Sequence, residues 1–344
     1  MHMADALVSP AVGGIMTAVS VGAIALSVRQ ISKETKIGGD IKPFDEKKIP
    51  MMAVMGAFVF AGQMINFSIP GTFSSGHIGG GILLAAILGP FPALLTLASV
   101  LLIQCLFFAD GGLLAYGCNV FNMGFLASVV AYSFLYRPIM RGGISKVKIM
   151  IASVVSVVIG LQLGAFAVVL ETLFSGITEL PFAAFAALMQ PIHLAIGLVE
   201  GVVTGLVLLF LHSVRPEVLN DYQTGEVKKS KLTGGAVIAI FAALTVLTGG
   251  GLSLIASGDP DGLEWAIGNI TESELESDGS VHEAAANVVD SVAVMPDYDS
   301  PVGGTTGAGI IGSAITVVIA GGIGLVIALY NKRKKRKPHE VTDG

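Results

Sequence analysis

The sequence predicts an all-α polytopic membrane protein, and its composition and charge distribution are the observations that predict it. Hydrophobic residues make up 53% of the 344 residues, charged residues only 13%, and the mean hydropathy is +0.78. Soluble globular domains carry about 25% charged residues, so that class is excluded. All 20 Lys and Arg residues fall into four clusters. By the positive-inside rule these clusters are expected in the cytoplasm; they cover residues 29–48, 137–148, 215–231 and 332–337.

The apolar segments between these clusters predict nine membrane spans. Residues 77–109 are apolar throughout, and as one helix they would be about 50 Å long, whereas the hydrocarbon core is about 30 Å thick. The Gly-Pro-Phe-Pro sequence at 89–92 is expected to break this run into two short spans. That division also keeps the second basic cluster inside. The other spans are predicted at residues 8–28, 51–66, 117–136, 149–171, 182–212, 234–256 and 307–331.

The same pattern predicts the domain organisation, with the N-terminus outside and the C-terminus inside. The first seven spans form one bundle, and two additional spans follow a polar, basic linker. An acidic outer segment without Lys or Arg joins those two spans, and it is expected either to stay solvated or to insert beside the bundle entrance. The basic tail faces anionic lipid, and no nucleic-acid partner is predicted. The boundaries are 1–215 for the bundle, 216–233 for the linker, 234–331 for the two-span domain, 257–306 for its outer segment and 332–344 for the tail.

The first two residues, Met1 and His2, carry three nitrogens that one metal ion can chelate. These are the α-amine of Met1 and the backbone amide and imidazole Nδ1 nitrogens of His2. Such a set suits a tetragonal metal such as Ni(II) or Cu(II) better than tetrahedral Zn(II). A leader peptide is not expected, because no basic stretch precedes the first apolar segment. His77 lies at the outer end of a span, at the boundary between a predicted Gly/Ser-rich loop (67–76) and a helix, where glycines leave room for another backbone. It is the predicted fourth ligand.

Several polar residues near the outer face are predicted to support this site. Asn66, at the end of the preceding span, is expected either to orient a ligand or to cap its helix. Polar groups that face lipid are costly, so the others are expected to point into the bundle and to hold the N-terminal segment. They are Gln104, Asp110, Asn119 and Asn122.

One predicted span carries two ionisable residues, His193 and Glu200, seven positions apart and therefore on one helix face. Ionisable residues at that depth are either functional or a stabilising internal pair, and both interpretations stay open. Gly197, Gly201 and Gly205 form a small-residue ridge on the same helix, which predicts close helix packing. The chain contains no P-loop and no hydrolase motif, so neither an ATPase nor another enzyme is predicted.

Five segments resemble the CbiM/NikM family, the metal-capture (S) subunits of energy-coupling-factor importers for nickel and cobalt: residues 1–5, 66–71, 75–77, 110–112 and 119–124. The resemblance implies that Met1, His2 and His77 hold the metal. It implies Ni²⁺ or Co²⁺ as the transported ligand, no permanent cofactor, and a location in the cell membrane. A transmembrane coupling protein and cytoplasmic ABC ATPases are the implied partners. Ala6 and Ser68 depart from the usual glycine and proline, but neither is a ligand.

Residues 260–264, Pro-Asp-Gly-Leu-Glu, follow the eighth predicted span and look like part of the accessory two-helix component of these importers. The chain therefore resembles a fusion of both components. The alternative is an ion-coupled secondary metal transporter, in which His193 and Glu200 would relay protons.

Overall fold

A computed structural model describes residues 1–32, 35–37, 40–42, 48–222, 230–271, 275 and 279–336. Parts of the predicted first basic cluster, the linker, the outer segment and the tail lie outside these residues. The described chain is helical, as predicted. Its helices are α1 (Pro10–Ser32), α2 (Lys48–Gln63), α3 (Gly81–Leu88), α4 (Pro90–Phe108), α5 (Tyr116–Met140), α6 (Lys146–Ser175), α7 (Phe182–Val214), α8 (Gly234–Gly250), α9 (Gly262–Gly268), α10 (Ser280–Val292) and α11 (Gly304–Arg336).

Seven helices in the described part of the chain are long and apolar enough to cross a membrane, which makes this a multi-pass membrane protein. The long apolar run does divide at Gly89, where φ is +94° and the chain turns before Pro90. Helix α3 has only eight residues, about 12 Å of helix, and all of them are buried. It is too short to cross the membrane alone. The count of nine spans and the orientation of the termini therefore stay predictions.

The stretch before α3 was expected to be an irregular loop, and that expectation was wrong in part. It contains an antiparallel hairpin of two strands, β3 (Phe67–Ile69) and β4 (Ser74–Gly76). A second short hairpin joins α1 to α2, with strands β1 (Thr35–Ile37) and β2 (Asp40–Lys42). Residues 77–80 continue from β4 to α3 without regular secondary structure. The predicted metal ligand His77 therefore lies outside regular secondary structure, four residues before α3 begins.

The glycine ridge of α7 packs against α6, within the bundle. A Cβ added at Gly201 would lie 2.7 Å from the Cα of Val154, and one at Gly197 would lie 3.1 Å from the Cα of Val158. Only glycine allows the two helix backbones to approach this closely. Ile196 of α7 packs against Gly76 at the end of the β3–β4 hairpin.

The two additional spans, α8 and α11, pack mainly against α2 and against each other. The outer segment between them is partly helical, with α9 and α10 folded over the mouth of the bundle. Its Pro-Asp-Gly turn pairs with β4: the Ser75 amide donates to the Pro260 carbonyl at 2.8 Å, and the Ser75 hydroxyl donates to the Asp259 carbonyl at 2.8 Å. Of the two expectations for this segment, the structure favours insertion at the entrance.

Candidate metal centre

The N-terminal segment is held inside the bundle by main-chain contacts. The Met3 amide donates to Oδ1 of Asn119 at 2.7 Å, and the Asn119 side-chain amide donates to the Met3 carbonyl at 3.1 Å. The Gly112 amide donates to the same carbonyl at 2.8 Å. Asp5 accepts a hydrogen bond from the Ala115 amide at 2.9 Å. Met3 is fully buried, so these contacts place the first two residues beside the hairpin.

Met1, His2 and His77, the three residues predicted as metal ligands, lie together. The α-amino nitrogen of Met1 lies 3.5 Å from Nε2 of His77. The His2 and His77 rings stack, with centroids 5.2 Å apart and planes inclined by 17°. Nδ1 of His77 lies 3.2 Å from the Ile78 carbonyl, which can accept only from a protonated nitrogen. That contact fixes the tautomer and leaves the Nε2 lone pair facing the amine.

Each nitrogen of the His2 imidazole lies near an oxygen acceptor, and a neutral ring, which has a single N–H, can donate to only one of the two. Nδ1 lies 3.2 Å from a carboxylate oxygen of Asp110, and Nε2 lies 3.2 Å from Oε1 of Gln104. Tyr298 of the outer segment closes this network, because its hydroxyl donates to Asp110 and accepts from the Gln104 amide at 3.1 Å. Gln104 and Asp110 therefore contact the predicted ligand directly. Sequence reasoning did not select Tyr298, and no motif marks it.

Asp261 is the closest partner of the terminal amine. Its Oδ2 lies 2.5 Å from the Met1 nitrogen, while its Oδ1 accepts from the Leu263 and Glu264 amides and so caps α9. Glu264 completes a capping box with the Asp261 amide. The Pro-Asp-Gly-Leu-Glu stretch contains Asp261. Sequence analysis used this stretch only for its family resemblance and did not predict Asp261 as a site residue.

The electrostatics of the site favour neutral imidazoles beside a charged carboxylate. Burial lowers the pKa of His77 to about 3, and the neighbouring Met1 amine acts in the same direction. Burial also lowers the pKa of His2, against the opposing influence of Asp110. Burial by itself would raise the pKa of Asp261, but the adjacent α-amino charge outweighs it and lowers that pKa. Both imidazoles thus offer lone pairs at neutral pH.

A metal site formed by Met1, His2 and His77 would include main-chain nitrogens. Among the described residues, no three His, Cys, Asp or Glu side chains are grouped so that they can hold a metal ion. The amine, the His2 amide and the two imidazoles supply four nitrogen donors. A planar set of four requires the two rings to meet edge to edge at the metal. The stacked ring of His2 has to turn away from Asp110 and Gln104 to reach that geometry.

Asn66 and Asn122 were also predicted to support the site, and the structure places them differently. The structure does not bring the Asn66 side chain to the site; the Asn66 carbonyl accepts from the Ser257 amide at 2.7 Å. Asn122 donates to Glu171 at 2.6 Å and contacts the Met3 sulfur at 3.7 Å. It therefore supports the buried segment that follows the ligands.

Glu200 binds the backbone that follows His77. Its two carboxylate oxygens accept the Gly79 and Gly80 amides, each at 2.8 Å. His193 instead donates from Nδ1 to the Met189 carbonyl at 2.8 Å. The two residues share a helix face, as predicted, and both line the same cavity. Because both Glu200 oxygens are occupied by backbone amides, this geometry favours a positioning role over a proton relay.

Comparison with known proteins finds two families whose sequences match this chain. The CbiM family, described as cobalt uptake substrate-specific transmembrane region, matches residues 2–218, and the PDGLE domain matches residues 235–329. A protein of Archaeoglobus fulgidus, provisionally named fused nickel transport protein NikMN, is 30% identical over 323 residues, which cover 93% of this chain and 96% of that protein. The fused nickel transport protein NikMN of Rhodobacter capsulatus is 30% identical over 288 residues, 79% and 77% of the two chains. A crystal structure of a truncated transition metal transporter, 32% identical, superposes with a TM-score of 0.53 over 62% of this chain and 99% of that one.

Proposed function

Because this chain belongs to the CbiM family of cobalt-uptake substrate-specific transmembrane regions, we propose that it is the metal-capture subunit of an ATP-driven importer of Ni²⁺ or Co²⁺. The importer would be of the energy-coupling-factor type. One observation carries the proposal: Met1, His2 and His77 lie together although the two histidines are 75 positions apart in the chain. Relatives that combine both domains are named nickel transport proteins, which supports nickel as the first metal to test.

In the proposed capture step, the metal replaces the present partners of the nitrogen donors. His77 is already oriented, with its Nε2 lone pair towards the amine. The amine exchanges Asp261 for the metal and releases a proton, and the His2 amide nitrogen releases a second one. The His2 ring exchanges Asp110 for the metal at Nδ1. Nitrogen donors of this kind favour Ni(II) and tolerate Co(II).

The outer segment is proposed to present acidic groups at the entrance. Asp261 and Asp110 are the carboxylates nearest to the ligands, and their negative charge raises the local concentration of divalent cations. Two further components are proposed as partners: a transmembrane coupling protein and cytoplasmic ABC ATPases. The chain has no Walker A sequence, so ATP hydrolysis in this proposal belongs to the ATPases.

Two added residues test the capture site. Two alanines inserted before Met1 move the amine by two residues and remove it from the chelate, and unlike one alanine they do not place the histidine third in the chain, where the amine, two amides and the imidazole would form a new four-nitrogen chelate. We expect loss of high-affinity Ni²⁺ binding by the purified full chain in detergent. Two alanines added after Gly344 are the matched control and should leave binding unchanged. Undiminished nickel stoichiometry in the first variant would refute the proposal that the amine is a ligand.

Uptake measurements separate the two kinds of transporter. Vesicles that contain this chain with its ATPases and coupling protein are expected to accumulate nickel only when ATP is present. Uptake that persists without the ATPases and collapses with the proton gradient would favour a secondary transporter.

A further inference from the structure

Helix α10 of the outer segment leaves a row of apolar side chains exposed. Val281 is 47% exposed, Val288 46% and Val292 36%, and Ala284 is exposed as well. At 3.6 residues per turn, these four residues lie within about 80° of one another on the helix surface. An apolar row of this kind on the outside of a protein indicates a contact surface.

The charged residues of α10 lie on a different side of the helix. Glu283 and Asp290 are exposed, and both are rotated by about 140–160° from Val288 around the helix axis. Asn287 lies beside them. Helix α10 contains no Lys or Arg. It is therefore amphipathic, with an apolar side and an acidic side that both lack a covering element in the described part of the chain.

A third side of α10 packs against the bundle. His282 is 4% exposed, and its Nε2 donates to the Val8 carbonyl at 3.0 Å. Ala285 and Val289 lie on the same side and are partly buried. This side is rotated by about 100° from Val281, because His282 is the next residue along the helix. The helix thus has one side towards protein, one apolar exposed side and one acidic exposed side.

Both ends of α10 are attached near the ends of long apolar helices. Val8, the partner of His282, lies two residues before α1 begins. Met295, three residues after α10 ends, donates its amide to the Phe107 carbonyl at 3.1 Å, in the last turn of α4. Helices α1 and α4 are long and apolar enough to cross a membrane, and the hydrocarbon core ends where such helices end. Helix α10, about 20 Å long, therefore lies at the depth of the membrane surface.

We propose that α10 is an interfacial helix, which rests on the lipid bilayer with Val281, Val288 and Val292 against the acyl chains and with Glu283 and Asp290 in water. Amphipathic helices bind the boundary between headgroups and acyl chains in this orientation. A lipid contact can be small here, because the bundle already holds both ends of the helix. The inference goes beyond the proposed import function and does not depend on metal binding.

The size of the exposed row favours lipid over a protein partner. The exposed fractions of the three valines together amount to little more than one fully exposed valine. A stable protein interface buries about 800 Å² on each partner, which is far more than this row offers. Asp261 precedes α10 in the chain and Tyr298 follows it, so a lipid contact at α10 restrains the segment that carries both residues.

Spin labels on two sides of α10 test the proposal on the full chain in phosphatidylcholine vesicles. A nitroxide is attached to the new cysteine of Val288→Cys, and Asp290→Cys is the matched variant on the acidic side. We expect the label at position 288 to collide more with oxygen, which concentrates in hydrocarbon, than with chromium oxalate, which stays in water. The label at position 290 should show the reverse. The unaltered chain treated with the same reagent measures the background, because Cys105 and Cys118 are buried.

Two results of this experiment contradict the proposal. More collisions with chromium oxalate than with oxygen at position 288 would place the apolar side in water. Few collisions with either reagent would place it against protein. Either result overturns the interfacial helix and leaves the proposed metal capture untouched.

Hydrogen exchange of the full chain in lipid nanodiscs provides a second test that needs no label. Val288→Asp places a carboxylate on the apolar side of α10, whereas Asn287→Asp places one on the acidic side at the neighbouring position. Because a carboxylate among acyl chains is costly, amide exchange along α10 is expected to become about tenfold faster in Val288→Asp and to stay unchanged in Asn287→Asp. Equal exchange in the two variants overturns the proposal.

Discussion

The α-amino group of Met1 lies 2.5 Å from Oδ2 of Asp261, although the two residues are 260 positions apart in the chain. The side chains are only 7% and 17% exposed, so the ion pair is largely shielded from water. The same carboxylate caps α9, which fixes its position. The outer segment thus contacts a nitrogen that the proposed capture site requires. Asp261 and a metal ion cannot both bind the amine at the same time.

Asp261→Asn is expected to strengthen equilibrium binding of nickel. The amide oxygen of asparagine can still cap α9, but the negative charge that competes for the amine is lost. An ion-pair contribution of about 1.4 kcal/mol corresponds to a roughly tenfold change in affinity. Titration of the purified chain with NiCl₂ measures this change in affinity. Asp259→Asn is the control, because Asp259 bonds Ser68 and Ser257 and not the amine. Weaker binding in Asp261→Asn would mean that the carboxylate assists the bound state.

Gly112→Ala is expected to displace the N-terminal segment from its position in the bundle. A Cβ at this position would lie 1.8 Å from Oδ1 of Asp5 and 2.5 Å from its amide nitrogen. Forcing such an overlap costs about 1–3 kcal/mol, and nickel affinity should fall at least about tenfold. Gly14→Ala adds the same methyl group where nothing lies within 4 Å, and it should have no effect. Equal nickel affinity in both variants would show that the segment does not position the ligands.

Glu200→Gln tests whether this carboxylate positions His77. Glutamine offers one acceptor oxygen, so one of the two backbone amides of Gly79 and Gly80 loses its partner. The cost of an unsatisfied buried amide is about 1–3 kcal/mol. We expect a lower Tm and weaker nickel binding, with the stoichiometry kept. Glu179→Gln, at an exposed position, is the control. A proton relay would instead abolish uptake and leave nickel binding unchanged.

Nickel affinity is expected to rise with pH by about tenfold per unit for each proton that binding releases, and the His2 amide releases one when it becomes a ligand. The imidazoles add nothing to this slope, since burial lowers the pKa values of both His2 and His77 and leaves the rings neutral. Their protonation steepens the loss only in acid, near pH 3 for His77. Competition titrations at several pH values measure the slope. A nickel affinity that does not change with pH would exclude the amide nitrogen as a ligand.

Much of the architecture followed from local sequence patterns. Long apolar runs, the break at Gly89 and the glycine ridge of α7 are properties of neighbouring residues, because a helix in lipid must satisfy its own backbone and pack through small side chains. The membership of the family was also apparent from short motifs around His2 and His77. The segment 67–76, expected to be a loop, forms a hairpin, and the Pro-Asp-Gly turn from far along the chain pairs with its strand β4.

The sequence by itself thus determined that this is a helical membrane protein of a metal-uptake family, and it singled out Met1, His2 and His77. Only the tertiary structure decided what those groups contact. Asp261 reaches the amine, Tyr298 joins Asp110 to Gln104, and Glu200 holds the backbone after His77. The physical reason is range: apolar periodicity acts over a few residues, whereas each of these polar pairs joins residues more than 100 positions apart. Such pairs exist only once the helices have docked.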